Sequence, residues 1–181
     1  MKKLISLLFV INIAFSAQNH KNQVDLLAME PRNELVKALY YATIDETFKV
    51  DKEFFLESVN SVRAEGCNCR PPFFHSTTPL RWNDTLAMAA KVHSMDMDAK
   101  KFFRHRGSDG SNHVTRAIRQ GYNSKNVGEN IYHGGRNDQR AFEAWMESPG
   151  HCANIMNPQF TEIGVAREGD YWTMVLGRPK R

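Results

Sequence analysis

The sequence lacks the short motifs that identify many hydrolases and metal sites. It has no His-Glu-x-x-His segment, no paired Cys-x-x-Cys motifs and no nucleophile elbow. It also has no internal repeat and no low-complexity tract. Any chemistry must therefore come from residues that lie far apart in the chain and are brought together by folding.

The chain has little excess charge of either sign. It contains 24 Lys and Arg residues against 20 Asp and Glu residues, a formal net charge of +4. Without Lys2 and Lys3 the balance is 22 minus 20, or +2. So small an excess argues against a nucleic-acid partner. The basic segment 178–181 is interpreted as solvated chain.

The most apolar stretch is too short to span a bilayer comfortably. It runs from Leu4 to Phe15, whereas a spanning helix needs about 20 apolar residues. A basic start, this apolar run and small residues up to Ala17 are typical of a secretory signal peptide, with a membrane anchor as the alternative. We therefore predict a signal peptide at 1–17 and a secreted protein, extracellular or periplasmic, that is not an integral membrane protein.

Cysteine is scarce, and its count is odd. Cys67, Cys69 and Cys152 are the three cysteines of the chain. An exported protein is expected to form a disulfide, and a bridge between Cys67 and Cys69 would have to close over a single residue, which disulfide geometry disfavours. One of these two is therefore predicted to pair with Cys152. Cys69 is the preferred partner, with Cys67 as the alternative.

Hydrophobic periodicity predicts four helices followed by strands. Residues 18–50 are polar and mixed and are predicted to form an N-terminal extension; regular structure begins at Asp51. The first helix should bury Phe55, Val59 and Val62, with Asp51 as N-cap and Gly66 as its stop. The strongest helix is "NDTLAMAAKVHSMDMDAKKF", which should begin at a cap by Asn83 or Asp84 and align Leu86, Ala90, His93 and Met97 in one stripe. Shorter helices cover 112–120 and 138–146.

The third helix, starting at Ser111, is expected to turn Val114 and Ile118 inward. The end of the chain alternates with a period of two in "TEIGVAR" and "YWTMVLG" around the turn "EGD", which predicts a hairpin. A further strand is expected near "NVGENIYHG". Helices before strands, without strand-helix-strand alternation, indicate an α+β domain over 51–181 with an antiparallel sheet covered by helices.

Three segments contain polar residues suited to chemistry. They are "FRHRGSDGS" with His105, "VGENIYHG" with Glu129, and "WMESPGHCANIM" with Glu147 and His151. Imidazoles and carboxylates that converge can bind a divalent cation or polarise a water molecule. Each residue taken singly can also be structural. The structural interpretation is preferred for the remaining histidines, His20, His75, His93, His113 and His133.

The order of the motifs resembles that of the CAP superfamily. The matching segments are "LESVNSVRAEG", "PLRWNDTLAMAAKVHSMDM", "FRHRGSDGS", "RAIRQGY", "VGENIYHG", "AWMESPGHCANIMNPQFTEIGVA" and "YWTMVLG". This superfamily includes cysteine-rich secretory proteins, antigen 5 and plant pathogenesis-related proteins. The resemblance covers about residues 50–181 and is closest to the compact secreted bacterial members.

The resemblance implies a three-layer α-β-α sandwich with a central antiparallel sheet and a cleft lined by two histidines and two acids. His105, Glu129 and His151 match three of these positions. The second acid of the family falls at Ser148, one residue after Glu147. Because one helical residue turns a side chain by about 100°, either residue is a candidate for this corner. Pro149-Gly150 is expected to direct His151 into the cleft.

Two functions follow from this resemblance. The first, which we favour, is a non-enzymatic extracellular binding module. Its cleft would hold a divalent metal such as zinc, with His105 and His151 as ligands, and a lipid or a peptide as partner. The alternative is a secreted metal-dependent hydrolase, similar to a peptidase, with Glu129 as its general base. No catalytic residue beyond this candidate base can be named, and no cofactor is required for the binding function.

Overall fold

The computed structural model describes residues 50–70 and 73–180. The predicted signal peptide, 1–17, lies outside the described residues, as does the predicted extension 18–50 except for its last residue. The described residues thus belong to the predicted domain, apart from residue 50.

The described residues form five helices and six strands. The helices are α1 (Lys52–Glu65), α2 (Asp84–Lys100), α3 (His113–Arg119), α4 (Asp138–Glu147) and α5 (Pro149–Met156). The strands are β1 (Cys67–Asn68), β2 (Phe73–Phe74), β3 (Arg81–Trp82), β4 (Val127–His133), β5 (Glu162–Glu168) and β6 (Tyr171–Gly177). The predicted terminal hairpin and the strand within "NVGENIYHG" are thus confirmed.

The main sheet has four strands in the order β3-β5-β6-β4. Strand β6 is antiparallel to both neighbours, so that Val175 lies opposite Glu129 on one side and Gly164 on the other. The short strand β3 pairs parallel with β5, with Arg81 beside Glu162. The three long strands match the expected antiparallel sheet, and β3 adds a parallel edge. Strands β1 and β2 form a separate two-stranded hairpin.

Helices cover both faces of this sheet, as expected for the α-β-α sandwich. Strand residues two apart point to the same face, and this alternation divides the core. On one face Trp172 and Met174 of β6 pack in a buried cluster with Phe55 of α1 and Trp145 of α4. On the other face Val175 packs with residues of α2 and α3, among them Leu86, Ala90 and Ala117.

Side-chain caps fix where the helices begin. Asp51 accepts a hydrogen bond from the Phe54 amide, as predicted, and Asn83 accepts one from Leu86. Helix α1 ends at Gly66, whose φ of 78° lies in the region that glycine tolerates without strain. These caps place α1 and α2 in the predicted registers.

The inward face predicted for α3 is wrong in part. The N-cap is Asn112 rather than Ser111, and Ile118 is 44% exposed. The buried positions of α3 are Arg116 and Ala117, whereas Val114 is only partly buried. The guanidinium of Arg116 binds a buried carboxylate, and this pairing fixes the rotation of a helix that has only two turns.

A buried arginine joins α1 to the segment after α5. Arg63 is fully buried and donates hydrogen bonds to the carbonyl oxygens of Thr78, Ile155, Asn157 and Phe160 at 2.6–3.3 Å. Burial lowers the pKa of Arg63 to about 10, so the guanidinium remains charged at neutral pH. Its fork of donors thus ties α1 to Thr78 and to the chain at and after the end of α5.

The disulfide joins Cys69 to Cys152, the preferred pairing. The two Cα atoms are 5.5 Å apart and 83 positions apart in sequence. Cys67 is free and half-buried. The bridge attaches α5 to the β1–β2 hairpin.

Across the described residues, no helix combines the length and the apolar character that crossing a membrane requires.

Candidate functional site

The candidate site lies at the free edge of the main sheet. Strand β4 is the last strand in the sheet order and contains Glu129 at its third position. The loop between α2 and α3 carries His105, whose Nδ1 lies 2.9 Å from Glu129 Oε1. Two of the residues singled out in the sequence therefore meet, although 24 positions separate them.

This contact determines which ring nitrogen of His105 carries the hydrogen in the neutral imidazole. An ionised carboxylate can only accept a hydrogen bond, so Nδ1 of His105 must donate it. In the neutral ring Nε2 then carries the lone pair. The imidazole is 53% exposed, whereas the Glu129 side chain is only 1% exposed. A buried carboxylate thus orients a histidine that solvent can reach.

Arg116 of α3 balances the charge of Glu129. Its Nη2 lies 2.6 Å from Glu129 Oε2, and both side chains are buried. Burial by itself would raise the pKa of Glu129, but the hydrogen bond from His105 and the charge of Arg116 outweigh it and lower the pKa. Glu129 is therefore an ionised acceptor at neutral pH, with both oxygens engaged.

The same guanidinium fixes the loop that carries His105. Arg116 donates to the carbonyl oxygens of His105 at 3.0 Å and of Ser111 at 3.1 Å. Elsewhere in the loop, Ser108 donates to Asp96 of α2 through its amide at 2.7 Å and its hydroxyl at 2.6 Å. The loop is thereby held at His105 and at two later positions, Ser108 and Ser111.

His151 lies on α5, which packs on the face of the sheet opposite to α3. Ser148 adopts an extended conformation between α4 and α5, and Pro149 is the first residue of α5, where its missing amide hydrogen is harmless. The carbonyl of His151 accepts a hydrogen bond from Asn130 Nδ2 at 3.0 Å. Burial lowers the pKa of His151, and nearby His105 lowers it further. His151 therefore favours its neutral form at neutral pH.

Asn154 connects the next turn of α5 to the same strand. Its Nδ2 donates to the Asn130 side chain at 2.9 Å and to the Glu129 carbonyl at 3.3 Å. Bonds between α5 and β4 thus fix His151 relative to Glu129.

Glu147 and Ser148 occupy different surroundings. The Glu147 carboxylate lies 3.3 Å from Arg140 Nη1 on the exposed side of α4. Ser148 links α4 to α5, and its amide donates to the Trp145 carbonyl. The ion pair with Arg140 holds the Glu147 carboxylate on the outer surface of its own helix.

Two histidines interpreted as structural lie next to the site. His93 of α2 is fully buried, with Nε2 3.0 Å from the Arg104 carbonyl and 3.9 Å from Glu129 Oε1. His113 at the start of α3 is half-buried, and burial lowers its pKa while Glu129 partly opposes the shift. Neither stood out from the sequence, because His93 continues the apolar stripe of α2 and His113 occupies the first turn of a short helix.

His93 adopts the opposite hydrogen arrangement from His105. Nε2 donates to a carbonyl, so Nδ1 lacks a hydrogen, and no hydrogen-bond partner for Nδ1 is found in the described part of the chain. Burial lowers the pKa of His93 to about 4, opposed by Glu129 and reinforced by Arg116. The imidazole beneath the site is therefore neutral.

In the described residues, the one group of three potential ligand atoms within 4.8 Å of one another consists of the sulfur atoms of Cys67, Cys69 and Cys152, and the disulfide occupies two of them. The imidazoles and Glu129 do not form such a set. Glu129 instead suits the role of orienting a histidine ligand from the outer shell. Any metal ion at this edge would be coordinated by His105 Nε2 and by His151, and water or a ligand would complete its coordination.

The sequence of the domain matches a known family. The family model described as "CAP: Cysteine-rich secretory protein family" matches residues 56–175. The chain is 37% identical over 97 residues to the uncharacterized protein YkwD of Bacillus subtilis, covering 52% of this chain and 38% of that protein. It is 27% identical over 146 residues to the uncharacterized membrane protein YlbC of the same organism, covering 78% and 39%. The chain thus spans about two fifths of the length of these relatives.

Solved structures show the same fold. An extracellular protein of Bacillus anthracis that contains an SCP domain aligns with a TM-score of 0.55 and 26% identity, covering 68% of this chain and 40% of that one. An outer surface protein of Borrelia burgdorferi aligns with a TM-score of 0.57 and 19% identity, covering 74% and 98%. The second likeness concerns the fold alone.

Proposed function

Because the chain belongs to the CAP family of cysteine-rich secretory proteins, we propose that it is an extracellular binding module that holds a divalent transition-metal ion such as zinc between His105 and His151. The observation that carries this proposal is the 2.9 Å bond from His105 Nδ1 to the buried Glu129. It directs the lone pair of His105 to Nε2, the state in which imidazole ligates a metal.

The electrostatics around His151 support the same role. A histidine must be neutral to bind a metal ion, and burial together with His105 lowers the pKa of His151. Arg116 neutralises Glu129, so the carboxylate orients His105 without a net negative charge at the site. A neutral pair of imidazoles would bind a borderline-soft ion such as Zn²⁺ and leave coordination positions open for a ligand.

Calorimetric titration with Zn²⁺ tests the proposal. The free thiol of Cys67 should first be blocked with iodoacetamide, since a thiolate is a competing soft ligand. We expect one ion to bind at pH 7, with affinity at least about tenfold weaker at pH 5, because protons compete with the metal ion for imidazole nitrogens. His105→Ala and His151→Ala should each weaken binding at least about tenfold.

His75→Ala is the matched control, because His75 is an exposed histidine far along the chain from the site. It should leave the titration unchanged. Equal binding by the wild type and by the His105→Ala/His151→Ala double variant would contradict the proposal.

The geometry argues against Glu129 as the general base of a hydrolase. A base must accept a proton from water, but both Glu129 oxygens already accept hydrogen bonds, and its pKa is lowered. Orientation of His105 accounts for all these contacts. We therefore favour binding over hydrolysis, and the absence of turnover with a peptide and ester library is the expected result for the zinc-loaded protein.

An aromatic surface near the site suits the organic part of a peptide or lipid ligand. Phe103, two residues before His105, is 50% exposed, and its ring centroid lies 5.9 Å from that of His133. His133 stacks on Tyr171 at 4.2 Å and follows Glu129 on the same face of β4.

Native mass spectrometry tests this partner with added fatty acid and with a peptide mixture. We expect at least one of these adducts on the wild type and its weakening in Phe103→Ser. Phe73→Ser is the control, because Phe73 is equally exposed but lies on the β1–β2 hairpin. Equal loss in both variants, or no adduct on the wild type, would contradict the aromatic surface as a ligand site.

Export from the cell is the remaining element of the proposal. The signal-like segment 1–17, the disulfide and the similarity to an extracellular SCP-domain protein support it. We expect the mature N-terminus, read by Edman degradation or mass spectrometry, to follow Ala17 closely. An intact Met1 on protein recovered from the cytoplasm would contradict it.

A further inference from the structure

The three cysteines form a compact cluster between α5 and the β1–β2 hairpin. Cys67 Sγ lies 3.5 Å from Cys69 Sγ and 3.6 Å from Cys152 Sγ. Apolar side chains pack against the cluster, and they are Val62, Phe74, Met146 and Met156. A thiol is thus held in contact with both sulfur atoms of the disulfide.

We propose that Cys67 is an alternative partner of Cys152 and that the disulfide exchanges between two pairings within the folded protein. The thiolate of Cys67 attacks Cys152 Sγ, the Cys67–Cys152 bond forms, and the Cys69–Cys152 bond breaks. Cys69 leaves as the thiolate and takes up the proton lost by Cys67. No external oxidant or reductant is consumed.

The local backbone explains why both cysteines can reach the same partner. Side chains two residues apart in an extended chain point to the same side. Cys67 begins β1 and Cys69 directly follows that strand, so only Asn68 separates the two cysteines. The third pairing, Cys67 with Cys69, is disfavoured because it closes over one residue. Cys152 is therefore the shared partner of the two pairings.

The resting geometry makes the exchange slow rather than absent. The nearly equal distances place Cys67 Sγ beside the disulfide instead of on its axis, and displacement requires approach along that axis. The side chain of Cys67 must rotate before it attacks. Burial also raises the pKa of the Cys67 thiol, so the reactive thiolate is scarce at neutral pH and increases in alkaline solution.

Exchange would change which of the two thiols is accessible to a reagent in solution. Cys67 is half-buried, whereas Cys69 is 3% exposed. The alternative pairing therefore replaces an accessible thiol with a hidden one. The exchange also takes place at Cys152, one residue from His151, so the cysteine cluster and the candidate metal site share α5.

Serine substitutions test whether Cys67 can form the bridge. The three single variants, Cys67→Ser, Cys69→Ser and Cys152→Ser, are purified from the same oxidising expression host, and free thiols are counted after denaturation in acid. We expect no free thiol in Cys67→Ser and Cys69→Ser, and two in Cys152→Ser. Two free thiols in folded Cys69→Ser, where Cys67→Ser has none, would overturn the proposal.

The wild type supplies a second measurement that does not depend on how the variants fold. Protein incubated at pH 7, 8 and 9 is quenched in acid, its free thiol is alkylated, and the disulfide is then reduced and labelled with a second reagent. Tandem mass spectrometry distinguishes Cys67 from Cys69. We expect the first label on Cys69 in a fraction that forms about tenfold faster per pH unit and independently of protein concentration.

Two outcomes of this experiment would overturn the proposal. One is a first label confined to Cys67 at every pH. The other is a rate proportional to protein concentration, which would mean exchange between molecules rather than within one.

Discussion

His93 makes the stability of the domain depend on pH in a way that the structure specifies. This imidazole is fully buried, and its pKa is lowered from 6.5 to about 4, chiefly by burial. Glu129 and Asp96 oppose the shift, and Arg116 reinforces it. Between pH 6.5 and about 4 the unfolded chain binds a proton at His93 and the folded protein does not. The free energy of unfolding should therefore fall as the solution is acidified.

The size of the effect follows from linkage. Each pH unit between the two pKa values changes the free energy of unfolding by about 1.4 kcal/mol. Acidification from pH 7.5 to 4.5 crosses about two such units, so His93 should destabilise the protein by about 2–3 kcal/mol. The lowered pKa of Glu129 keeps its own titration toward the acid end of this range.

Comparison with His93→Gln isolates this contribution. Glutamine is neutral at every pH and can donate a hydrogen bond to the Arg104 carbonyl, as His93 Nε2 does. Urea unfolding with the disulfide intact gives the free energy of both proteins at pH 7.5, 6.5, 5.5 and 4.5. We expect the difference between them to move by about 2–3 kcal/mol in favour of the variant across this range. A difference constant within about 0.5 kcal/mol would refute the reasoning.

Only the difference between the two free energies of unfolding isolates His93, because other groups also titrate between pH 7.5 and 4.5. The lowered pKa values of His113 and His151 destabilise the folded state on acidification, as His93 does. Glu168 acts in the opposite direction: burial raises its pKa to about 7, so the folded state takes up its proton first and gains stability as the pH falls from 7 to 4.5. Glu168→Gln should therefore steepen the acid-induced loss, and a shallower profile would contradict this sign.

The remaining predictions concern packing and the disulfide. Gly164→Ala should destabilise the domain by about 3 kcal/mol or more, because the new Cβ would collide with the backbone of Ala87 in α2; an unchanged urea midpoint would refute it. Arg63→Met should cost about 3 kcal/mol or more by leaving buried carbonyls unpaired, and a loss below about 1 kcal/mol would show that water replaces the guanidinium. Cys152→Ser should lower the free energy of unfolding by about 4–5 kcal/mol, given the 83-residue separation between Cys69 and Cys152, whereas a loss below about 2 kcal/mol would mean that the unfolded chain is already compact.

Most of the fold could be predicted from the sequence because its long elements obey simple periods. Helix α2 buries Leu86, Ala90, His93 and Met97, the predicted stripe. The terminal strands alternate around a glycine turn, as their sequences indicate. Strand β3 could not be predicted, because two residues are too few to show a period.

The rotation of α3 could not be predicted for a different reason. A helix of seven residues offers little periodic signal, so the sequence predicts only that its apolar residues face inward. In the fold Arg116 is buried while Ile118 is exposed, because the guanidinium pairs with Glu129. This pairing joins residues of different elements, and no local pattern in the sequence reveals it.

The polar groups of the site differ sharply in exposure. His93, Arg116 and Glu129 are buried together, Glu129 accepts a hydrogen bond from His105, and of these four side chains only His105 is largely open to solvent. A buried ion pair contributes little net stability compared with apolar residues of the same volume. The pair of Glu129 and Arg116 is therefore better explained by the imidazole that it orients than by the stability it provides. Replacing Glu129 and Arg116 together with apolar side chains should therefore change the free energy of unfolding only slightly. The free energy of zinc binding should change much more.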